Sequence, residues 1–175
     1  MKDHILVKDN LLSADECHKL INTYSINLEK GKKWQSYNYY DIEDNNFQLL
    51  SKKINVVLHN EYITNYPEID LTSSPWSLTS LRIKHFPPGK SFSNWHSEHS
   101  FNYANRVLSV QIYLSNHNCG TLFYNGKKII SKTGRVAIFP AYFTHTHKGE
   151  VCLENKDRYL LTGYVSFISQ GLKEG

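Results

Sequence analysis

His96 and Glu98 stand two positions apart in Trp95-His96-Ser97-Glu98, and two more histidines, His145 and His147, follow in Thr144–His147. In an extended strand successive side chains alternate between faces. His96 and Glu98 then point one way, and Ser97 and His99 the other. The same alternation puts His145 and His147 on one face. Two imidazoles and a carboxylate converging from one side hold a divalent transition metal and leave other coordination positions open. Nitrogen and oxygen donors of this kind suit Fe(II), among other divalent ions. The spacing leaves His145 and His147 as alternatives for the third ligand. Further on, Arg158 offers a guanidinium, which can grip a carboxylate through two parallel hydrogen bonds. On residue types alone it could equally form a surface ion pair with Glu154 or Asp157.

The elements that must position these groups change character along the chain. Residues 1–74 read as helical support. Ser13 with Glu16 forms a capping box, and Cys17, Leu20, Ile21, Tyr24 and Leu28 follow at helical spacing. Gly31 stops that helix, and residues 32–43 read as irregular. A second helix starts near Asp44, with Phe47, Leu50, Ile54, Val57, Leu58 and Tyr62 as its buried face, and Pro67 ends it. From residue 75 to 170 short β-rich runs alternate with turns: Leu78–Phe86, Phe92–Glu98, Arg106–Ser115, Thr121–Tyr124, Lys128–Ser131, Arg135–Phe139, Phe143–Lys148 and Arg158–Ile168. Asn125-Gly126 is a strong hairpin signal. Many short strands with turns between them predict a mainly β jelly roll (a double-stranded β-helix) with N-terminal helices, as a single domain over residues 1–175. In Val107–Leu114 the side chains of Leu108, Val110, Ile112 and Leu114 face a core. Val107, Ser109, Gln111 and Tyr113 face a cavity.

Composition narrows the function classes. Hydrophobic residues at 40% and charged residues at 21% suit a soluble globular protein. No apolar run approaches a bilayer span. The three cysteines, Cys17, Cys119 and Cys152, are scattered and odd in number. They predict no disulfide framework and a cytoplasmic location. The net charge of +4 is spread over the chain rather than clustered, which argues against a nucleic-acid partner.

The ordered series of motifs resembles the iron(II)/2-oxoglutarate-dependent dioxygenases, in particular their prolyl 4-hydroxylase-like branch. Arg82-Ile83-Lys84-His85-Phe86 with Pro88-Gly89 is similar to the strand and turn before the first ligand, and Trp95-His96-Ser97-Glu98 to the ligand strand. Arg106 through Ile112-Tyr113-Leu114-Ser115 resembles the next strand, and Gly120-Thr121-Leu122-Phe123 the hairpin. Gly134 through Ile138-Phe139-Pro140 and His145 resembles the approach to the distal histidine. Arg158 with Thr162-Gly163-Tyr164 resembles the closing strand. The resemblance spans roughly residues 80–168.

This resemblance implies His96, Glu98 and His145 as iron ligands, His145 being chosen over His147 by its offset from Phe139-Pro140. It implies Arg158, Tyr113 and Thr162 as the holders of 2-oxoglutarate, and O2 as co-reactant, with ascorbate as an optional reductant. The reaction would hydroxylate a C–H bond, most naturally of a prolyl residue in a peptide or protein, with 2-oxoglutarate converted to succinate. A small metabolite or a nucleobase is the alternative substrate. Trp34–Asn46 and His99–Asn105, rich in Tyr, Asn and Ser, are candidate substrate lids. Two features depart from the family pattern: Glu98 stands where aspartate is usual, and Phe86 where some relatives carry a cosubstrate-binding tyrosine. Lys156 is a rival anchor to Arg158. Two readings compete from other classes. One is a cupin-like metal-binding module without turnover. The other is a nucleic-acid-binding β-barrel, which leaves the triad unexplained.

Overall fold

The computed structural model describes residues 2–169. Met1 and residues 170–175, at the edges of the expected single unit, lie outside it. The first helix, α1 (Ala14–Lys30), opens as its sequence dictates. Ser13 Oγ accepts from the Glu16 amide at 3.1 Å, and the Glu16 carboxylate accepts from the Ser13 amide at 2.8 Å. Asp44 caps α2 (Asn45–Val57) by accepting from the Asn46 amide. A π-turn, Leu58–Tyr62, and a short helical turn, Ile63–Asn65, prolong α2. The wider turn keeps Leu58 and Tyr62 buried on the stripe begun by Leu50, Ile54 and Val57.

The N-terminal segment is not purely helical. It contributes β1 (Leu6–Lys8), β2 (Lys32–Trp34) and β3 (Tyr37–Asp41). The stretch expected to be irregular is therefore a hairpin. Its residues lack clear alternation, but pairing of β3 with β4 fixes them as strand, from Asn38 opposite His85 to Asp41 opposite Arg82. The remaining strands are β4 (Trp76–Phe86), β5 (Arg106–Tyr113), β6 (Gly120–Phe123), β7 (Lys128–Ile130), β8 (Val136–Pro140), β9 (His147–Gly149) and β10 (Arg158–Phe167). They form a large sheet of order β1-β8-β5-β10-β4-β3-β2 and a small one of order β7-β6-β9, with every pairing antiparallel. This is the mainly β jelly roll with N-terminal helices that the strand rhythm predicted.

The core has two parts. Leu108, Val110, Ile112, Val136, Ile138, Leu161 and Val165 on one face of the large sheet cluster with Leu20, Tyr24, Leu50 and Ile54 from the helices. Phe86, Tyr113, Ala137, Phe139 and Leu160 on the other face meet Phe123 of the small sheet in the barrel interior. The alternation read along β5 holds except at Val107, which joins the helix-side core. Gly134 makes the turn into β8 at φ +81°, and a Cβ there would sit 2.0 Å from the Leu12 carbonyl oxygen. Only glycine fits such a conformation and approach without strain.

The cysteines depart from expectation. Cys119 and Cys152 are paired as a disulfide and Cys17 is free and buried. Two of three scattered cysteines meet because β6 pairs with β9 and brings their loops together. Disulfides are rare in reducing compartments, so the cysteine argument for a cytoplasmic location loses its basis. Among the described residues no helix is long and apolar enough to cross a membrane.

Candidate metal and cosubstrate site

Residues 92–98 do not form a strand and bend at Asn94 and Glu98. They are fixed by one bridge: the His96 amide donates to the His147 carbonyl at 3.0 Å, and the His147 amide to the His96 carbonyl at 2.9 Å. The amides of Glu98 and His99 both donate to the Ala141 carbonyl, which clamps the other end. His96 Nε2 lies 3.5 Å from Glu98 Oε1, and His147 Nε2 lies 3.6 Å from the same oxygen. One ligand atom from each of the three residues lies within 4.8 Å of the other two.

The outer hydrogen bonds set the rings. His96 Nδ1 donates to the Asn94 carbonyl at 2.9 Å, and His147 Nδ1 to the His145 carbonyl at 2.9 Å. With both protons so placed, the two Nε2 lone pairs and the carboxylate face one point. Three acceptors with no donor among them are a cation site, and Nδ1 protons held by backbone carbonyls are the usual outer partners of metal-binding imidazoles. His147 Nε2 is buried and has no hydrogen-bond partner. The donor set fits a divalent transition metal. Burial pushes the Glu98 carboxyl up, and the Lys84 ammonium pulls it down. Lys84 itself is pulled down to about 8, mainly by burial.

The structure does not bring His145 to this group. Its Nε2 lies 2.7 Å from the Asp3 carbonyl oxygen and its Nδ1 2.9 Å from Thr144 Oγ1. Residues Phe143–His145 form a 3-10 turn rather than strand. Such a turn advances roughly 2.0 Å per residue instead of about 3.3 Å. The offset from Pro140 therefore delivers His147, at the start of β9, opposite His96. The ring of His147 comes to 4.5 Å from that of His96. The shared face expected for His145 and His147 is lost for the same reason.

Arg158 opens β10 opposite Phe86 and is buried in the barrel. Its guanidinium lies over the Phe86 ring at 4.5 Å, Nη2 donates to Ser91 Oγ at 3.1 Å, and Nε has no partner. Burial lowers its pKa. The rival surface pairings go elsewhere: Asp157 accepts from His85, and Glu154 lies against His117 and Lys156. Lys156 is half exposed at the surface, so it does not reach into the barrel. Phe86, which lacks the hydroxyl of a tyrosine, instead supplies a ring for the guanidinium.

Tyr113 faces the same interior. Its hydroxyl shares a hydrogen bond with Thr121 Oγ1 at 2.7 Å and donates to Gln111 Oε1 at 3.2 Å. Burial pushes its pKa up to about 12. Thr162 lies opposite Gln111 on β10, and its hydroxyl and that of Ser109 are buried without partners. The buried Arg158 guanidinium and the unpaired Thr162 hydroxyl, an even offset apart on β10, are polar groups suited to an anionic ligand. Sequence reasoning did not assign roles to Gln111, Thr121, Ser91 or Lys84. Their signal was the even offset of Gln111 from Tyr113 and of Lys84 from Phe86, which places each pair on one strand face.

No family model and no curated protein matches the sequence. Solved structures do. A viral collagen prolyl hydroxylase from Paramecium Bursaria Chlorella virus-1, in a 2OG complex, superposes with TM-score 0.72 at 15% identity, covering 95% of this chain and 97% of that one. The chain shares its fold. A Trichoplax adhaerens prolyl hydroxylase in complex with a hypoxia inducible factor peptide fragment gives TM-score 0.70 at 16% identity, over 95% of this chain and 84% of that one. A non-heme alpha ketoglutarate dependent epimerase, SnoN from nogalamycin biosynthesis, gives 0.63 at 15% identity, over 98% and 83%.

Proposed function

We propose that this chain is an Fe(II)- and 2-oxoglutarate-dependent dioxygenase whose iron is held by His96, Glu98 and His147. The observation that carries this reading is the meeting of two Nε2 lone pairs and one buried carboxylate inside a jelly roll. The buried Arg158, free of any carboxylate partner among the described residues, extends it. His145, the ligand implied by the motif offset, becomes a neighbour that holds His147 through its carbonyl. Arg158, Tyr113 and Thr162 hold the distal carboxylate of 2-oxoglutarate. Iron held by these residues, with the oxo acid and O2, would supply the oxidising chemistry: one oxygen atom of O2 would enter succinate as CO2 leaves, and the other would enter the substrate C–H bond. The chain's own part is to fix the ligand rings, bind the anion and exclude bulk water from the buried face. Arg106 Nη1, 3.7 Å from Glu98 Oε2, steadies the second carboxylate oxygen.

The substrate is a C–H bond of a prolyl residue in a peptide or protein. A cleft of about 430 Å³ lies beside the site, lined by Asp41, Arg82, Tyr103, Arg106 and Tyr164. The two segments read as lids both reach it, one through Asp41 and the other through Tyr103. The Arg106 guanidinium is held between the Tyr103 and Tyr164 rings at 3.7 and 3.6 Å. An open cleft with aromatic walls suits an extended peptide. The collagen hydroxylase and the peptide complex among the similar structures support a peptide substrate, while the epimerase keeps small molecules as the alternative.

The experiment is anaerobic addition of Fe(II) and 2-oxoglutarate, followed by turnover on a panel of proline peptides. A visible charge-transfer band is expected, then succinate and a mass gain of one oxygen on peptide. Metal binding without a band, and without succinate, would leave the non-catalytic metal module as the better account.

A further inference from the structure

A second group of metal-binding side chains lies around the disulfide and shares no residue with the proposed iron ligands. Cys119 follows β5 and Cys152 follows β9, and their Cα atoms are 5.2 Å apart. His117 stands two residues before Cys119, and Glu154 two after Cys152. A ligand atom from each of His117, Cys152 and Glu154 lies within 4.8 Å of the other two. The His117 side chain is fully buried, and its Nδ1 is 3.5 Å from Glu154 Oε2. Neither of these two atoms has a hydrogen-bond partner.

The far ends of both groups are anchored. His117 Nε2 lies 3.0 Å from Ser115 Oγ, which accepts from the Tyr159 amide. Glu154 Oε1 accepts from the Asn118 amide at 2.9 Å. With the imidazole proton on Nε2, toward Ser115, the Nδ1 lone pair and a carboxylate oxygen face each other beside sulfur. Buried polar atoms are rarely left so in native structures. In that tautomer a cation between them satisfies both atoms, and the Ser115 contact is the kind of outer partner that orients a metal-binding ring.

We propose that reduction of the disulfide completes a four-donor site for a thiophilic divalent cation such as Zn2+, made of the Cys119 and Cys152 thiolates, His117 Nδ1 and Glu154 Oε2. Two sulfurs, one nitrogen and one oxygen fill a closed tetrahedral set. The thiolate, not the disulfide sulfur, is the ligand. A dithiol supplies the two electrons and two protons. The S–S bond breaks, two thiols form and the dithiol leaves as its own disulfide. Cation binding then releases the two thiol protons. The loops are thus clipped together in both redox states, by a covalent bond or by a metal. The clipped loop leads directly into Arg158, four residues after Glu154.

Cobalt(II) is the probe, because the His96–Glu98–His147 group has no sulfur. Any sulfur-to-cobalt charge-transfer absorption in the near ultraviolet therefore reports the second site. The full chain is reduced anaerobically with dithiothreitol in its folded state and desalted. Thiols counted in denaturant should rise from one to three. The reduced chain should then take up Co2+ with a sulfur band at one ion per chain, displaced by Zn2+. The oxidised chain should show none. Cys152→Ser should lose the band and His147→Ala should keep it. Glu154→Gln, at a partly exposed side chain, should weaken Co2+ affinity about tenfold or more while the chain stays folded. A folded chain that resists the reductant, a reduced chain without the band, or unchanged affinity in Glu154→Gln would each overturn the site.

Discussion

His96 and His147 exchange both of their backbone hydrogen bonds, at 3.0 and 2.9 Å, and this single pairing carries their rings to 4.5 Å from each other. It joins an irregular segment to the edge of the small sheet. The proposed metal group is therefore built across two elements rather than along one strand.

His147→Ala should abolish the iron–2-oxoglutarate band and reduce succinate formation by more than about 100-fold, beyond the range seen for outer neighbours of metal ligands. His145→Ala should bind iron and retain the band, with at most about a tenfold loss of activity. Both are read by anaerobic absorption and a succinate assay. Loss of the band in His145→Ala with retention in His147→Ala would reverse the assignment.

Arg158→Ala should raise the 2-oxoglutarate concentration needed for half-saturation about 10- to 100-fold, from the roughly 1.5–3 kcal/mol of a hydrogen bond to a charged group. Iron affinity without cosubstrate should hardly change. Arg158→Lys should rescue little, because an ammonium cannot reproduce the planar fork or its contact with Phe86. Calorimetric titration of the iron-loaded chain separates the two affinities.

Acid should unfold the chain in part through Asp9. The Arg135 guanidinium, with Lys132 beside it, holds the Asp9 carboxyl down to about 2, against 3.8 ordinarily. A depressed carboxylate stabilises the folded state fully above its unfolded value and loses that contribution as pH falls through the folded one. The contribution should therefore fade between about pH 4 and pH 2. Asp9→Asn should flatten that limb of a melting-temperature profile and leave its shape above pH 6 intact. Added salt should shrink the difference, since the pair is partly exposed.

Gly134→Ala should destabilise by about 1–3 kcal/mol or more, the usual cost of a strained backbone conformation. Besides its φ of +81°, the new Cβ would meet the Leu12 carbonyl, and the Gly134 carbonyl accepts from the Leu11 and Leu12 amides. Denaturant unfolding measures it. A neutral result would mean that the loop before α1 can move aside without cost.

The local rules were legible in the residues. Ser13 and Glu16 announced the cap of α1, the apolar spacing gave both helix faces, and alternation along β5 sorted Leu108, Val110 and Ile112 from Ser109, Gln111 and Tyr113. These features depend on neighbours a few positions away, so the chain alone fixes them. The strand rhythm and ordered motifs also carried the jelly roll and singled out His96, Glu98 and Arg158.

Tertiary structure decided what depends on partners distant in sequence. Tyr37–Asp41 is strand because β4 offers it an edge to pair with. Which of His145 and His147 comes to lie beside His96 turned on a three-residue turn whose shortened rise shifts the register. Counting residues from Pro140 assumes a path length that only the folded backbone sets. The meeting of Cys119 with Cys152, and of both with His117 and Glu154, follows from the pairing of β6 with β9. Residue spacing within a strand determines which side chains share a face. Which faces meet is determined by how the sheets close.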